Sequence, residues 1–284
     1  MITTKGRPVA GRSYYGPRRS VAVVACLVLA STLLAGAAAT GEGTGPVLRV
    51  LQMNLCNSGE AGCYTGMSVA RAASALRAHP PDLVTLNEIC EGDVETLGQT
   101  LADIYRGETV VWSFQPARDR RTGGPYLCQN GQPYGIGLIA RLPAPAAGHA
   151  VHGGIYPTQD LDDPEERAWL CLSAAGAFLV CTTHLAYTSA AVALGQCRYL
   201  LETAIPRQRA RTGYQPTLLA GDFNLGAQDL ASCLPADYLR AADGRAQQII
   251  VTSDFTARSS RTIDLDGTTD HPGLLLNLTT PAKV

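Results

Sequence analysis

Short aliphatic runs that each end on a polar group recur along the chain, and this pattern limits its fold more than any other feature. Residues 47–55, 82–88, 135–141, 217–220, 248–252 and 273–278 are such runs, rich in Leu, Val and Ile. Their length and β-branched content read as buried strands rather than helices. Residues 168–173 and 178–184 flank the small turn 174–177 and read as a hairpin. Residues 67–78 and 92–104 are strong helix formers, the first stopped by His79-Pro80-Pro81, and 188–206 reads as a third helix. Strands outnumber helices and mix with them throughout, which predicts an α/β sandwich rather than a doubly wound parallel sheet. The Gly/Pro-rich stretches 113–135 and 142–165 read as long loops, a usual place for substrate-binding surface.

The first forty residues follow another logic. Lys5, Arg7, Arg12, Arg18 and Arg19 precede an apolar run at 21–35, which ends in the small residues Ala37-Ala38-Ala39. That order is the pattern of a secretory signal, cleaved near Ala39, in preference to a retained membrane anchor. Residues 40–284 then form one domain, and 46% hydrophobic content is enough for a single large core. Residues 1–39 hold five of the 23 basic side chains and none of the 24 acidic ones, so the remainder carries a net charge of −6. An acidic domain argues against strong non-specific nucleic-acid binding, which draws on Lys and Arg contacts to phosphate, but it leaves room for a locally basic groove. The Arg118–Arg121 run and Arg207, Arg209 and Arg211 are the candidates for such a groove.

Eight cysteines follow the signal: 56, 63, 90, 128, 171, 181, 197 and 233. An even number in an exported chain, with no Cys-x-x-Cys spacing, points to disulfides rather than a zinc site. Folding the hairpin places Cys171 opposite Cys181 for a cross-strand bridge. Cys56–Cys63 closes a short loop. Cys90–Cys128 and Cys197–Cys233 are assigned to the remaining four, a choice that spacing leaves open.

Asn54, Glu88, His184, Asp222, Asn224, Asp270 and His271 all stand at or just beyond the ends of apolar runs. Each alone has a plain structural use, as a turn cap, an Asx turn or a hydrogen-bonded core histidine. Together, at strand ends on one side of a sheet, they converge. Carboxylates and amides so gathered suit a hard cation such as Mg²⁺.

Five stretches in order, Gln52-Met53-Asn54, Asn87-Glu88, Thr183-His184-Leu185, Gly221-Asp222-Phe223-Asn224 and Thr269-Asp270-His271-Pro272, resemble the signature segments of the endonuclease/exonuclease/phosphatase superfamily. The resemblance spans residues 47–278. It implies a four-layer α/β sandwich, two packed mixed β-sheets flanked by helices. It also implies metal-dependent phosphoester hydrolysis with Mg²⁺, or Mn²⁺ or Ca²⁺. By position in the motifs, Glu88, Asn54 and Asp270 resemble the metal ligands. Asp222 resembles the residue that orients the nucleophilic water, with Asn224 holding water or a phosphate oxygen. His184 and His271 resemble the histidines that flank the scissile phosphate. Arg167, before the hairpin, is a further candidate for phosphate contact. The sequence departs from the family pattern at Gln247, which stands where an aspartate usually pairs with the final histidine and is read, with Arg167, as a substrate-binding candidate. It departs again at Tyr134-Gly135-Ile136-Gly137, which lacks a usual Gly-Asn.

The sequence therefore predicts a secreted, monomeric phosphodiesterase with no obligate protein partner, acting on nucleic acid. The alternatives are phospholipid head-group cleavage of the sphingomyelinase type and a secreted binding module that has lost catalysis. A lipid enzyme calls for an exposed apolar hairpin, for which the 113–135 stretch offers only Phe114 and Tyr126.

Overall fold

The structure is a computed structural model that describes residues 45–143 and 148–280; the expected signal at 1–39 lies outside the described residues. Its elements follow in order as β1 (Val47–Asn54), α1 (Ser68–Ala78), β2 (Leu83–Cys90), α2 (Glu91–Ile104), β3 (Val110–Pro116), β4 (Arg118–Asp119), β5 (Tyr134–Arg141) and β6 (His149–Ile155). Then come β7 (Glu165–Glu166), β8 (Ala168–Ala174), β9 (Phe178–His184), α3 (Ala190–Tyr199), α4 (Ile205–Thr212), β10 (Thr217–Asp222) and α5 (Ala227–Cys233). The last strands are β11 (Tyr238–Ala242), β12 (Gln247–Thr252), β13 (Thr256–Ile263) and β14 (Gly273–Thr279).

Two six-stranded sheets result, ordered β13-β14-β1-β2-β5-β3 and β11-β12-β10-β9-β8-β6, with β4 and β7 as a separate ribbon. Each sheet is mixed for the same reason. A helix follows β1 and another region of helix follows β9, and these crossovers make β1–β2 and β9–β10 parallel, while the other pairs are antiparallel. Alternation along the strands sends Leu48, Val50 and Leu83 from the first sheet against Leu170, Val180, Leu218 and Ile249 from the second. The opposite face of the first sheet packs on α1 and α2 through Leu51, Met53, Leu76 and Leu97. That of the second packs on α3 and α5 through Leu179, Leu219, Cys197 and Leu230. The layers are helix, sheet, sheet, helix, as the resemblance implied.

Several elements differ from the sequence reading. Both stretches read as long loops contain strands, β3 in the first and β6 in the second. β11 and β13 add two more. All four are edge strands or sit beside an edge, where one neighbour and one exposed face relax the demand for apolar residues. β13, Thr-Ala-Arg-Ser-Ser-Arg-Thr-Ile, is exposed along its length except at Ile263 and so carries no apolar signal. The helix read at 188–206 begins at Ala190 and runs on, through a π-helical segment Leu200–Ala204, to Thr212. α5 was not foreseen. The four disulfides are Cys56–Cys63, Cys90–Cys128, Cys171–Cys181 and Cys197–Cys233, the assigned pairing. Cys171 and Cys181 are register partners in the β8–β9 hairpin, which explains why that bridge was readable from the turn.

Candidate active site

The strand directions bring the polar groups together. Parallel β1 and β2 end side by side with Asn54 opposite Asn87, and parallel β9 and β10 end with His184 opposite Asp222. Antiparallel β12 starts at that same rim with Gln247 opposite Asp222. Arg167 precedes β8, and Asp270-His271 precede β14, so both enter the rim from the loops. On β1, β9 and β10, the alternation that packs Val50, Val180 and Leu218 between the sheets also points Asn54, His184 and Asp222 into the gap. There the two sheets open into a cleft of about 460 Å³, lined by Glu88, Arg167, His184, Asp222, Asn224, Asp270 and His271 among others.

Glu88 reaches the cleft by a different device. Strict alternation would turn it toward the helices with Leu86. The β2–β5 register shifts between Asn87 and Ile89, and Glu88 takes φ +53°. This bulge removes Glu88 from the alternation and aims it along the rim. Asn224 also has positive φ, +47°, a conformation that Asn tolerates better than most residues. Its backbone N–H closes an Asx turn on Asp222 Oδ1 (3.1 Å). Gly221 is required where it stands, because a Cβ there would lie 2.0 Å from the Thr183 carbonyl oxygen of β9.

The acidic centre is held by amides. Asn54 Nδ2 donates to Glu88 Oε1 (2.8 Å) and to Asp222 Oδ2 (3.1 Å), while its own Oδ1 accepts from the Cys56 backbone N–H (3.1 Å). Asn54 bridges the two carboxylates through its nitrogen, and its oxygen, expected at the metal, accepts the Cys56 backbone N–H. Asn87 Oδ1 accepts from the Asp222 backbone N–H (2.8 Å) and from Gln52 Nε2 (2.7 Å), and its Nδ2 donates to the Thr183 carbonyl (2.9 Å). One fully buried side chain of the first sheet thus holds the ends of both β9 and β10 of the second.

Gln247 also requires correction. It is fully buried, accepts from Gln52 Nε2 (3.3 Å) and donates to the Pro272 carbonyl. It neither lines the cleft nor touches the His271 ring. Among the described residues, His271 Nδ1 has no hydrogen-bond partner. The Gln247 amide holds the backbone beside the histidine and leaves the imidazole unoriented through that nitrogen.

Arg167 is 3% exposed and does not sit on the surface. Its Nη2 donates to Asp163 Oδ2 (3.0 Å), and Nη1 lies 3.1 Å from Glu165 Oε1 and 2.7 Å from His184 Nδ1. Burial, and then the Arg167 guanidinium, push the His184 imidazole well below its usual range, so the ring is neutral at pH 7. Nε2 is farther from the guanidinium (3.2 Å) and lies 3.9 Å from Glu88 Oε1. His271 Nε2 stands 3.7 Å from Asp222 Oδ2 and 3.8 Å from Asp270 Oδ1. Burial raises Asp222 above the usual carboxylate range. It raises Glu88 too, where the charges of Asp222 and Asp270 add to the effect.

Asp163 and Glu165, and the exposed Tyr187 whose ring lies 5.7 Å from the Arg167 guanidinium, were not anticipated as cleft residues. Asn87 stood out in the sequence only as part of Asn87-Glu88. An amide inside an apolar strand was its signal, since a buried amide needs partners.

The model of the Endonuclease/Exonuclease/phosphatase family matches residues 52–271. The chain belongs to this family. Endonuclease/exonuclease/phosphatase proteins generally hydrolyse phosphoester bonds with a divalent metal. No curated protein matches the sequence. Among solved structures, the fold is similar to an endonuclease/exonuclease/phosphatase from Beutenbergia cavernae, at 18% identity and a TM-score of 0.61, covering 83% of this chain and 72% of that one. It is similar to the human Nocturnin catalytic domain with bound sulfate, at 15% identity and 0.59, covering 82% and 93%. It is also similar to D. rerio TDP2 complexed with single-strand DNA product, at 17% identity and 0.55, covering 82% and 99%. At these identities the likeness shows the fold.

The residues present fit the family's divalent cation. Glu88 and Asp270 offer carboxylate oxygens at the cleft, and Glu88 is raised first by burial and then by the charges of Asp222 and Asp270, so a cation there would offset both effects.

Proposed function

We propose that this protein is a secreted, divalent-metal-dependent phosphodiesterase that acts on nucleic acid. The observation that carries the reading is the convergence of Asp222, His184 and His271 on one cleft beside the Glu88–Asp270 carboxylates. Glu88 and Asp270 would hold the cation, which would supply positive charge to polarise the phosphoryl group. The rest falls to the chain's own side chains. Asp222, fixed by Asn54 through Oδ2 and by the Asn224 N–H through Oδ1, takes the proton of the attacking water. Burial raises its proton affinity and so makes it a stronger base than an exposed aspartate. His184, neutral and steadied by Arg167, donates a hydrogen bond to a non-bridging oxygen. His271 faces the same phosphate from the Asp222 side. Tyr187, 65% exposed at the cleft, offers a ring face to an unpaired base.

Three of the arginines first assigned to a nucleic-acid groove do not support the reading. Arg118 and Arg121 are paired with Glu166 and Asp119. Arg209 hydrogen-bonds Thr217 at the start of β10, ~17 Å along the strand from Asp222. A nuclease reading therefore rests on the cleft and on the kinship with nuclease-type folds. The TDP2 structure holds a single-strand DNA product, which supports an unpaired strand as substrate. The second reading, phospholipid head-group cleavage, is favoured by one observation. Leu127 and Leu161, 49% and 74% exposed, neighbour Tyr126 and Asp163 of the cleft wall. Secretion is supported by the four disulfides, which persist in oxidising compartments.

The test is hydrolysis of single-stranded DNA, plasmid DNA and sphingomyelin in parallel, with Mg²⁺ and with chelator. DNA turnover lost with chelator and in Asp222→Asn supports the proposal. Turnover of sphingomyelin alone selects the lipid reading, and turnover of none, with metal bound, removes both.

A further inference from the structure

A second cavity, of about 700 Å³, opens on the helix-covered face of the first sheet. Val47 and Arg49 of β1 line it, and Arg49 stands five residues and ~17 Å back along the strand from Asn54. It shares no lining residue with the catalytic cleft. The other walls come from the turn after α1, with His79 and Pro80, and from β13 and β14.

Its charge runs against that of the molecule. Arg49, Arg258, Arg261 and His79 line it, and none of the described lining residues is acidic, in a chain whose residues 40–284 carry a net −6. Asp82 accepts the Arg49 backbone N–H (2.7 Å) from beneath, but it is buried and also receives Arg141 Nε (2.8 Å). Arg49 and Arg261 face no carboxylate among the described lining residues, and guanidinium groups so placed repel one another until an anion offsets them.

The groups are also positioned. Arg261 Nη2 donates to His79 Nδ1 (3.1 Å), which leaves Nε2 as the ring's donor. Arg49 Nη1 reaches the Pro80 carbonyl (3.4 Å), and Arg258 Nε donates to Thr279 Oγ1 (2.6 Å). For Arg49 and Arg261 the anchor takes one donor of a five-donor fork, and the remainder matches paired phosphate oxygens. Asn277 and Ser259 are bonded to each other on the cavity wall (2.9 Å) and keep a polar floor beneath the arginines.

We propose that this cavity is an anion site for a phosphate group, bound by Arg49 and Arg261 with His79 beside them. The site is independent of what the cleft hydrolyses. The phosphate is either free inorganic phosphate or one carried by a nucleic-acid strand, and the chemistry of recognition is the same.

The test is calorimetric titration of the full chain with inorganic phosphate, and separately with a short single-stranded oligonucleotide, at constant ionic strength. It compares the wild type with Arg49→Gln/Arg261→Gln, and the oligonucleotide arm is run in the Asp222→Asn background without metal. Both arginines are exposed, so the double variant folds with an unchanged Tm. In the wild type, phosphate binds at one more site per chain than in the double variant, or the oligonucleotide binds about tenfold more tightly with a steeper salt dependence. The first result identifies free phosphate as the occupant, and the second a strand. Equal stoichiometry and equal affinity for both ligands in the two proteins overturn the proposal.

Discussion

Asn87 shows how a single side chain governs the cleft without facing it. It satisfies the Asp222 N–H and the Thr183 carbonyl across the sheet interface. Replacing it with alanine leaves both without those partners in the interior, at about 1–3 kcal/mol for each group stranded. Asn87→Ala is expected to lower unfolding stability by a few kcal/mol in denaturant titration. It should lower kcat by more than it raises KM, because Asp222 and His184 lose their common reference. A pure stability loss with unchanged kcat contradicts this role. Glu165 makes a second prediction. Burial raises its carboxyl from 4.5 to about 7, against the opposing pull of Arg167. The folded protein therefore keeps a proton that the unfolded chain releases above about pH 4.5. Its contribution is fully present below that pH and is lost as pH rises through 7. The Tm of Glu165→Gln relative to wild type should climb between pH 4.5 and 8 in thermal melts. A difference that stays flat over that range rules the shift out.

The disulfides divide into two kinds of work. Cys56–Cys63 and Cys90–Cys128 border the cleft: Cys63 lines it, Cys56 follows Asn54 closely and Cys90 ends the strand of Glu88. Cys197–Cys233 ties α3 to α5 on the far side of the second sheet. Chain entropy gives the short closure, seven residues apart, about 2.5 kcal/mol and the 36-residue one about 4 kcal/mol. Cys197→Ala/Cys233→Ala should therefore cost more in unfolding stability, and Cys56→Ala/Cys63→Ala more in turnover. The reverse ranking in paired melting and activity measurements refutes the division. The edge strands show where reading by pattern stops. β13 and β6 pair on one side only, so no apolar alternation was required of them, and none is present to find.

At the scale of the molecule, the eight cysteines of the described residues are all paired, so native processed protein should show no reactive thiol until a reductant is added. Stoichiometric thiol titration under denaturing, non-reducing conditions checks this, and any thiol near one per chain contradicts it. The sequence alone determined an α/β sandwich, the strand ends that carry the site and the Cys171–Cys181 bridge, while the four layers were implied by the family resemblance. The first three follow from local periodicity: buried strands need apolar runs, and a tight hairpin sets its own register. It did not determine which atoms of the polar residues face the cleft. Asn54 turned its nitrogen, not its oxygen, to the acids because Glu88 and Asp222 lie on different sheets and both need a donor. Gln247 went to the core because β12 pairs with β10 in a register that places it against Gln52. Glu88 reached the rim through a bulge that only pairing with β5 reveals. Arg167 was buried by Asp163, Glu165 and His184, neighbours brought from both sides of the ribbon and the hairpin. Each of these is set by contacts between segments far apart in sequence, and local pattern holds no record of them.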